Sequence, residues 1–471
     1  MKVKNRVGLV AGTVVVTLTG SAVANDANSP EVMKRLAELE ARDAANTAMI
    51  SSLRSEIAAM KTQTGEDWLN EQRSEEVRAL VADVLADADT RAGLLQNGMN
   101  AGWDNGFFIA STDGNFRLQL GATVKVRFVY NNQDGSPDGL NDEGEPDGTG
   151  DDDRWGFESR RTRLRFKGHI VDPSWMYFIQ GDFGLSGTFS LLDAWIDKDL
   201  GNGWTFRAGK FMLPFSREPL VSHAKPLAVE RTLITNYFSP GRSQGIELLY
   251  SAEQWQFMAA CSDGGLGSLG GATASALTYD TEYAFTARVE WLAAGTWKQF
   301  GDWTSFKGDE FGFLLGAGIH WQSDEYGETA MGPETETFRW TVDASAEFGG
   351  ANLAASLYGN HTDINQDGEG AADGVDQYGF MIQGGFFLND DWELFGRYEW
   401  ADEDSTADDL SLATVGVNRY FSGHNIKWTT DLSYGFNEIT STFANSGVGF
   451  RTDGTHEDGQ TVLRSQLQLV F

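Results

Sequence analysis

From Phe116 to the last residue the chain returns repeatedly to one pattern, apolar residues at every second position over stretches of about ten residues. In the first of these, Phe116, Leu118, Leu120, Ala122, Val124, Val126 and Phe128 share one face. Arg117, Gln119, Thr123, Lys125 and Arg127 share the other, until the alternation lapses at Val129. A two-layer globular sheet would produce the same period on any single strand. What separates the two folds is repetition: Phe285/Ala287/Val289/Trp291, Phe311/Phe313/Leu315/Ala317/Ile319/Trp321 and Phe338/Trp340/Val342/Ala344/Ala346/Phe348 continue it. Aromatic residues stand at the ends of these runs, where an amphipathic ring sits at headgroup level. Counting alternating segments from Phe107 to Phe471 predicts an all-β transmembrane antiparallel barrel of about 16 strands over residues 101–471. The polar mean hydropathy does not oppose this, because lumen-facing polar residues offset lipid-facing apolar ones while the closed sheet pairs every backbone group.

The N-terminus predicts export. Lys2, Lys4 and Arg6 precede an apolar run at residues 7–18 that is too short to span a bilayer, and Ala22-Val23-Ala24 follows as a small-x-small cleavage pattern. Residues 1–24 therefore read as a signal peptide, with Asn25 as the mature start; no cysteine follows to carry a lipid. Residues 25–64 read as an α-helical coiled-coil stalk, from Val32, Leu36, Leu39, Ile50, Leu53, Ile57 and Met60 at four-three spacing, with Asp43 and Asn46 at core positions. A single helix folded back on the barrel is the alternative, but short helices are marginal alone, so partner chains are favoured. Residues 65–100 read as a helical linker through Leu69, Val77, Leu80, Val81, Val84, Leu85 and Leu94. Barrel in the outer membrane and stalk in the periplasm is the expected arrangement, with outer-membrane lipid around the one and the cell wall within reach of the other.

Composition narrows the function. Lys and Arg number 36 against 68 Asp and Glu, a net charge of −32, which argues against nucleic acid as a partner. Cys261 is the single cysteine, so there is no internal disulfide, no CxxC motif and no cysteine-based zinc site; a strand position is expected for it. His169, His223, His320, His361, His424 and His456 accompany no recognisable nucleophile motif, and no enzyme is expected.

The final segment, Leu463, Ser465, Leu467, Leu469 and Phe471 alternating with Arg464, Gln466 and Gln468, resembles the terminal strand of bacterial outer-membrane barrels. That resemblance gives Phe471 the role of a membrane-insertion signal. Five further stretches resemble the phosphate-selective porin O and P family. They are Asp104-Asn105-Gly106-Phe107-Phe108 with Asn115-Phe116-Arg117-Leu118, Arg160-Arg161-Thr162-Arg163-Leu164, Gln180-Gly181-Asp182-Phe183, Arg207-Ala208-Gly209-Lys210-Phe211 running into Leu213-Pro214-Phe215, and Phe238-Ser239-Pro240-Gly241-Arg242. The resemblance implies a homotrimeric porin passing small anions, phosphate or polyphosphate among them.

Near Phe157 one face of a predicted strand reads Ser159, Arg161, Arg163, Arg165, Lys167 and His169, a ladder of cations opposite Leu164, Phe166 and Ile170. Lumen-facing cations repel their like and lower the desolvation cost of anions. Arg117, Lys125, Arg127 and Arg207 extend the expected pathway. The alternative is that these cations pair with Asp182, Asp193, Asp197 and Glu290, bracing the barrel and leaving little net field. Residues 214–243, with Arg217, Lys225, Arg231 and Arg242 among apolar residues, are too long for a tight turn and are expected to fold inward as a constriction loop.

Two acidic stretches allow a cation. Residues 134–153 carry acids and no base, which reads as a solvated loop or as a divalent-cation site. Asp363, Asn365 and Asp367 with Gly368 have the opening spacing of a calcium loop, but Gly374 stands where the bidentate glutamate belongs, with Asp373 or Asp376 as substitutes. No other cofactor is expected. Two further readings stay open: a non-selective diffusion porin, and a structural anchor that tethers the envelope through its coiled coil.

Overall fold

The computed structural model describes residues 34, 41, 44–45, 47–56, 99–104, 106–133, 152–185, 187–265, 281–324, 334–365, 372–402, 409–453 and 458–471. The chain divides into two units, residues 1–94 and 95–471. In the first, residues 47–56 are helical and leave Met49, Ile50 and Leu53 exposed. The expected signal peptide, most of the stalk and nearly all of the linker lie outside the described residues, as does residues 134–151 of the acidic loop.

In the second unit the alternating segments form strands. A short hairpin of β1 (Met99–Trp103) and β2 (Phe107–Ser111) leads into β3 (Arg117–Asn132), β4 (Asp153–His169), β5 (Trp175–Phe183), β6 (Phe189–Gly201), β7 (Trp204–Met212) and β8 (Arg242–Ser251). The sheet continues through β9 (Trp255–Ser262), β10 (Thr281–Ala294), β11 (Gly312–Asp324), β12 (Glu334–Glu347), β13 (Ala351–Asn365) and β14 (Ala372–Phe387). It ends with β15 (Trp392–Ala401), β16 (Leu410–Ser422), β17 (Ile426–Gly435) and β18 (Thr461–Val470). Each of β3 to β18 pairs antiparallel with the next, and β18 pairs back onto β3 from Thr461↔Asn132 to Val470↔Thr123. The ring therefore closes with 16 strands and no free edge, which is what lipid requires of a sheet. Phe107, counted among the barrel segments from sequence, instead belongs to the hairpin, which extends only the first residues of β3.

The two faces differ as the period predicts. Val126, Leu164, Ile196, Phe257, Phe285 and Ile319 point outward and stay exposed, a surface suited to lipid. Inside, Arg127, Asp343, Asn418, Asp431 and Arg464 are almost fully buried. Three connections enter the lumen and cover them: residues 213–241, which carry two short helices, α1 (Arg217–Leu220) and α2 (Leu233–Phe238); residues 295–311; and residues 436–453. Phe215, Leu227, Ile234 and Phe238 of the first pack with Trp303 of the second, Ile439, Phe443 and Phe450 of the third, and Tyr358 and Phe395 of the wall. This apolar core inside the barrel occupies the side formed by β13 to β18.

Candidate functional site

The cation ladder is interrupted by a bulge. Val126 pairs with Ser159 and Lys125 with Arg161, so Arg160 has no partner across the strand and the inward phase slips by one residue. Ser159, placed on the ladder face from sequence, therefore faces outward with Val126, and Glu158 takes the inward position beside Arg127. The slip also turns Arg160 and Arg161 both inward. They converge on one carboxylate: Arg160 Nε and Arg161 Nη2 each lie 2.8 Å from Glu230, and Arg127 Nη1 lies 3.2 Å from it. Burial alone would raise the Glu230 pKa, but Arg161, then Arg160 and Arg127, hold it well below the usual carboxylate range.

Other expected ladder members also have carboxylate partners. Arg163 meets Asp182 at 2.8 Å, Arg207 meets Asp197 at 2.8 Å and Glu247 at 2.9 Å, and Arg242 meets Asp193 at 3.0 Å. Glu290 joins Arg288, which also chelates Asp343 at 2.7 Å. Arg117 stands apart on the hairpin side of β3, bonded to Asp104 at 2.7 Å. Two cations differ from these. Arg165 has only a long 3.4 Å contact from Nη2 to the Phe471 carbonyl, leaving its buried Nε without a partner. Lys167 is exposed to the lumen and has no carboxylate partner among the described residues.

The inward course of residues 213–241 is fixed by lumen side chains, because its buried backbone groups need partners that water cannot supply there. Lys125 donates to the His223 carbonyl at 2.7 Å, Gln468 to Ala224 at 2.7 Å, Lys427 to Pro226 at 2.6 Å and Asn418 to Leu227 at 2.9 Å. Asp431 accepts from the Val229 amide and Glu399 from the Leu233 amide, at the start of α2. Arg464 of β18 secures the third segment through the Val448 carbonyl at 2.8 Å. Of the cations expected on this loop, Arg217 donates to the carbonyls of Phe300 and Asp302 and stacks 4.8 Å from the Trp303 ring; Lys225 meets Asp302 at 3.2 Å. Arg231 donates to the carbonyls of Pro219 and Val221, and burial pushes its pKa down to about 10.

A cavity of about 350 Å³ remains between the wall of β3 to β8 and residues 219–223 of the loop. Arg163, Arg165, Lys167, Arg207, Arg231 and Arg242 all line it. The structure thus gathers six of the expected site residues around one space; Lys125, Arg127 and Arg161 stand beside it, spent on the loop.

Sequence reasoning missed Arg160, Glu230, Arg288 and the whole inward turn at residues 295–311. A signal existed for the first: two consecutive arginines in an alternating strand would put one into lipid, which is costly enough to imply a bulge. Phe471 exchanges backbone bonds with Ala122, continuing the closing pair. At the expected calcium loop, β13 runs on as strand through Asn365, and Asp363 meets His361 at 3.3 Å, which in turn meets Asp376 at 2.8 Å. Asp367 lies outside the described residues, and no group of three metal-ligating side chains occurs among the described residues.

The family described as phosphate-selective porin O and P matches residues 141–471. A curated relative, an uncharacterized protein of Aquifex aeolicus, is 23% identical over 252 residues, covering 48% of this chain and 59% of its own length. Among solved structures, the anion-selective porin from Comamonas acidovorans superposes with a TM-score of 0.55 at 15% identity, over 76% of this chain and 100% of that one. The outer-membrane channel DcaP of Acinetobacter baumannii gives 0.52 at 13% identity, over 76% and 99%. These two likenesses are to the barrel fold.

Proposed function

Because this chain belongs to the phosphate-selective porin O and P family, we propose that it forms an outer-membrane pore through which small anions diffuse passively, selected by the cations around the lumen cavity. The observation that carries this reading is the imbalance at the cavity. Arg165 and Lys167 face it with no carboxylate side chain as partner among the described residues, beside Arg163, Arg207, Arg231 and Arg242, while the one acid in its lining, Asp193, is paired with Arg242. The −32 of the whole chain does not set the field there, since charges beyond a Debye length of about 8 Å are screened in physiological salt. Paired arginines hold the loop in place, and the unpaired cations supply the attraction. The selectivity of the Comamonas porin supports the same reading.

The deciding measurement is reversal potential in a planar bilayer under a salt gradient, with wild type compared to R165A/K167A. Anion preference that fades in the double variant supports the proposal; cation preference ends it, and conductance without preference marks a general diffusion pore. Phosphate, which the family name brings forward, is tested by its block of chloride current. We further read the assembly as homotrimeric, with the coiled coil at residues 25–64 joining protomers; the exposed Met49, Ile50 and Leu53 on a helical segment support that.

A second reading has its own observation. Three inward segments fill the β13 to β18 side of the lumen, as they would in a barrel serving chiefly to anchor a stalk that engages the cell wall. Absence of any conductance in the same bilayer would favour the anchor.

A further inference from the structure

The lumen of a membrane barrel is ordinarily polar, yet the inner face of β5 to β7 carries three aromatic rings, Phe178, Trp195 and Phe211, among its polar residues. Phe178 and Trp195 stack with centroids 5.2 Å apart at 24°. The Arg207 guanidinium lies 4.2 Å above the Trp195 ring and 5.9 Å from Phe211. Phe211 is fully covered and forms a floor, whereas Phe178 and Trp195 keep part of their surface open to the cavity. From across the space the loop presents Leu220, an apolar side chain left 37% exposed inside the barrel. No water-soluble ion needs these surfaces, and an inorganic oxyanion loses hydration against them.

Polar atoms without partners border the same space. The buried Nε donor of Arg165 has none, and neither does Nε2 of His223, whose side chain is more than nine-tenths buried at the cavity wall. Lys167 adds an ammonium beside Phe178, its cross-strand neighbour. Apolar ring surface on one side and unsatisfied donors with positive charge on the other describe one kind of guest.

We infer that this cavity accepts organic anions in which a carboxylate is joined to a flat apolar ring, in preference to small oxyanions lacking the ring. The ring lies along Phe178 and Trp195 under Leu220, and the carboxylate takes the donors of Arg165 and Lys167. Aromatic packing supplies the discrimination, since both kinds of anion meet the same charges. The inference rests on the lumen being an anion pathway.

The test uses the full chain in a planar bilayer at pH 7.5, reading half-blocking concentrations of benzoate, acetate and phosphate against chloride current. Benzoate should block at about tenfold lower concentration than acetate, and W195L should shrink that ratio about three- to tenfold. W195Y, which restores a ring, should recover it, and F178L provides a second variant should W195L fail to insert. R165Q should weaken block by benzoate and acetate together. A benzoate to acetate ratio near one, or a ratio unmoved by W195L and F178L, overturns the inference while anion preference in the salt gradient leaves the pathway standing. Cation preference in wild type overturns both.

Discussion

Arg161 of β4 donates from Nη2 to Glu230 across 2.8 Å, so a strand that crosses the membrane and a segment that fills the lumen share one buried charge pair. Arg160 and Arg127 complete the arrangement around the same carboxylate. Removing the acid takes a shared partner from three guanidinium groups at once, leaving Arg127 with Glu158 at 2.6 Å and Arg161 with Asp182 at 4.0 Å. Glu230→Gln should therefore lower stability by about 3 kcal/mol, the usual cost of breaking a buried pair from one side. The temperature at which the barrel loses its compact mobility in a denaturing gel should fall, and anion preference in a bilayer should rise with the loss of one lumen acid.

Acid should loosen the loop in two stages. His223 is held neutral, its pKa pushed well below the ordinary value by burial and then by Arg163 and Lys125. An unfolded His223 protonates below about 6.5, so folded stability falls as pH drops past that value. Glu230 has a depressed pKa, so the stability it contributes is fully present above the ordinary glutamate value of about 4.5 and is lost as pH falls towards its folded value. Thermal unfolding followed from pH 7.5 to 3 should show both declines. H223Q should flatten the upper one and E230Q the lower.

Cations that look alike in the sequence should behave differently on mutation. Arg163 is committed to Asp182, so R163A leaves a carboxylate facing the cavity and should cost stability as well as anion preference. Arg165 and Lys167 leave no acidic side chain behind among the described residues. R165A and K167A should each shift the reversal potential towards cations with thermal stability changed by less than about 1 kcal/mol. Equal stability losses across all three would contradict the pairing seen here.

The turn at residues 295–311 should limit conductance. Its Asp302 meets Lys225 at 3.2 Å, and its Trp303 lies beneath Arg217. W303A removes the largest side chain that this turn places in the lumen core. Single-channel current in W303A should rise, with a destabilisation of about 3 kcal/mol for the emptied volume. Unchanged current would show that ions pass elsewhere.

The barrel was legible because lipid imposes its rule strand by strand: Leu164 and Phe166 must face out, so Arg163 and Arg165 must face in. Phase slips are another matter. A bulge such as that at Arg160 shows in sequence only as two adjacent arginines, and the alternation on either side looks intact. The inward loop was visible in Leu227, Leu233 and Ile234, which are too apolar for a solvated surface. The turn at residues 295–311 was not, because Trp297, Phe300 and Trp303 suit a headgroup girdle as well as a lumen. Glu230 escaped notice for a different reason: one of two acids among Arg217, Lys225, Arg231 and Arg242, it acquires meaning only when three cations of two strands distant in sequence arrive around it.

The seam between β3 and β18 has a consequence for assembly. Lys125 and Arg127 on one side of it, Gln468 and Arg464 on the other, are the residues that hold the inward segments through His223, Glu230, Ala224 and Val448. Closing the seam with the lumen unfilled would leave Lys125 and Gln468 to water in place of the His223 and Ala224 carbonyls, and Arg127 and Arg464 with only their wall partners Glu158 and Asp431. Closure and filling therefore favour each other, because the same four side chains serve both. A cell inserting such a chain is thereby spared a population of gaping, half-finished pores through which its periplasm would leak.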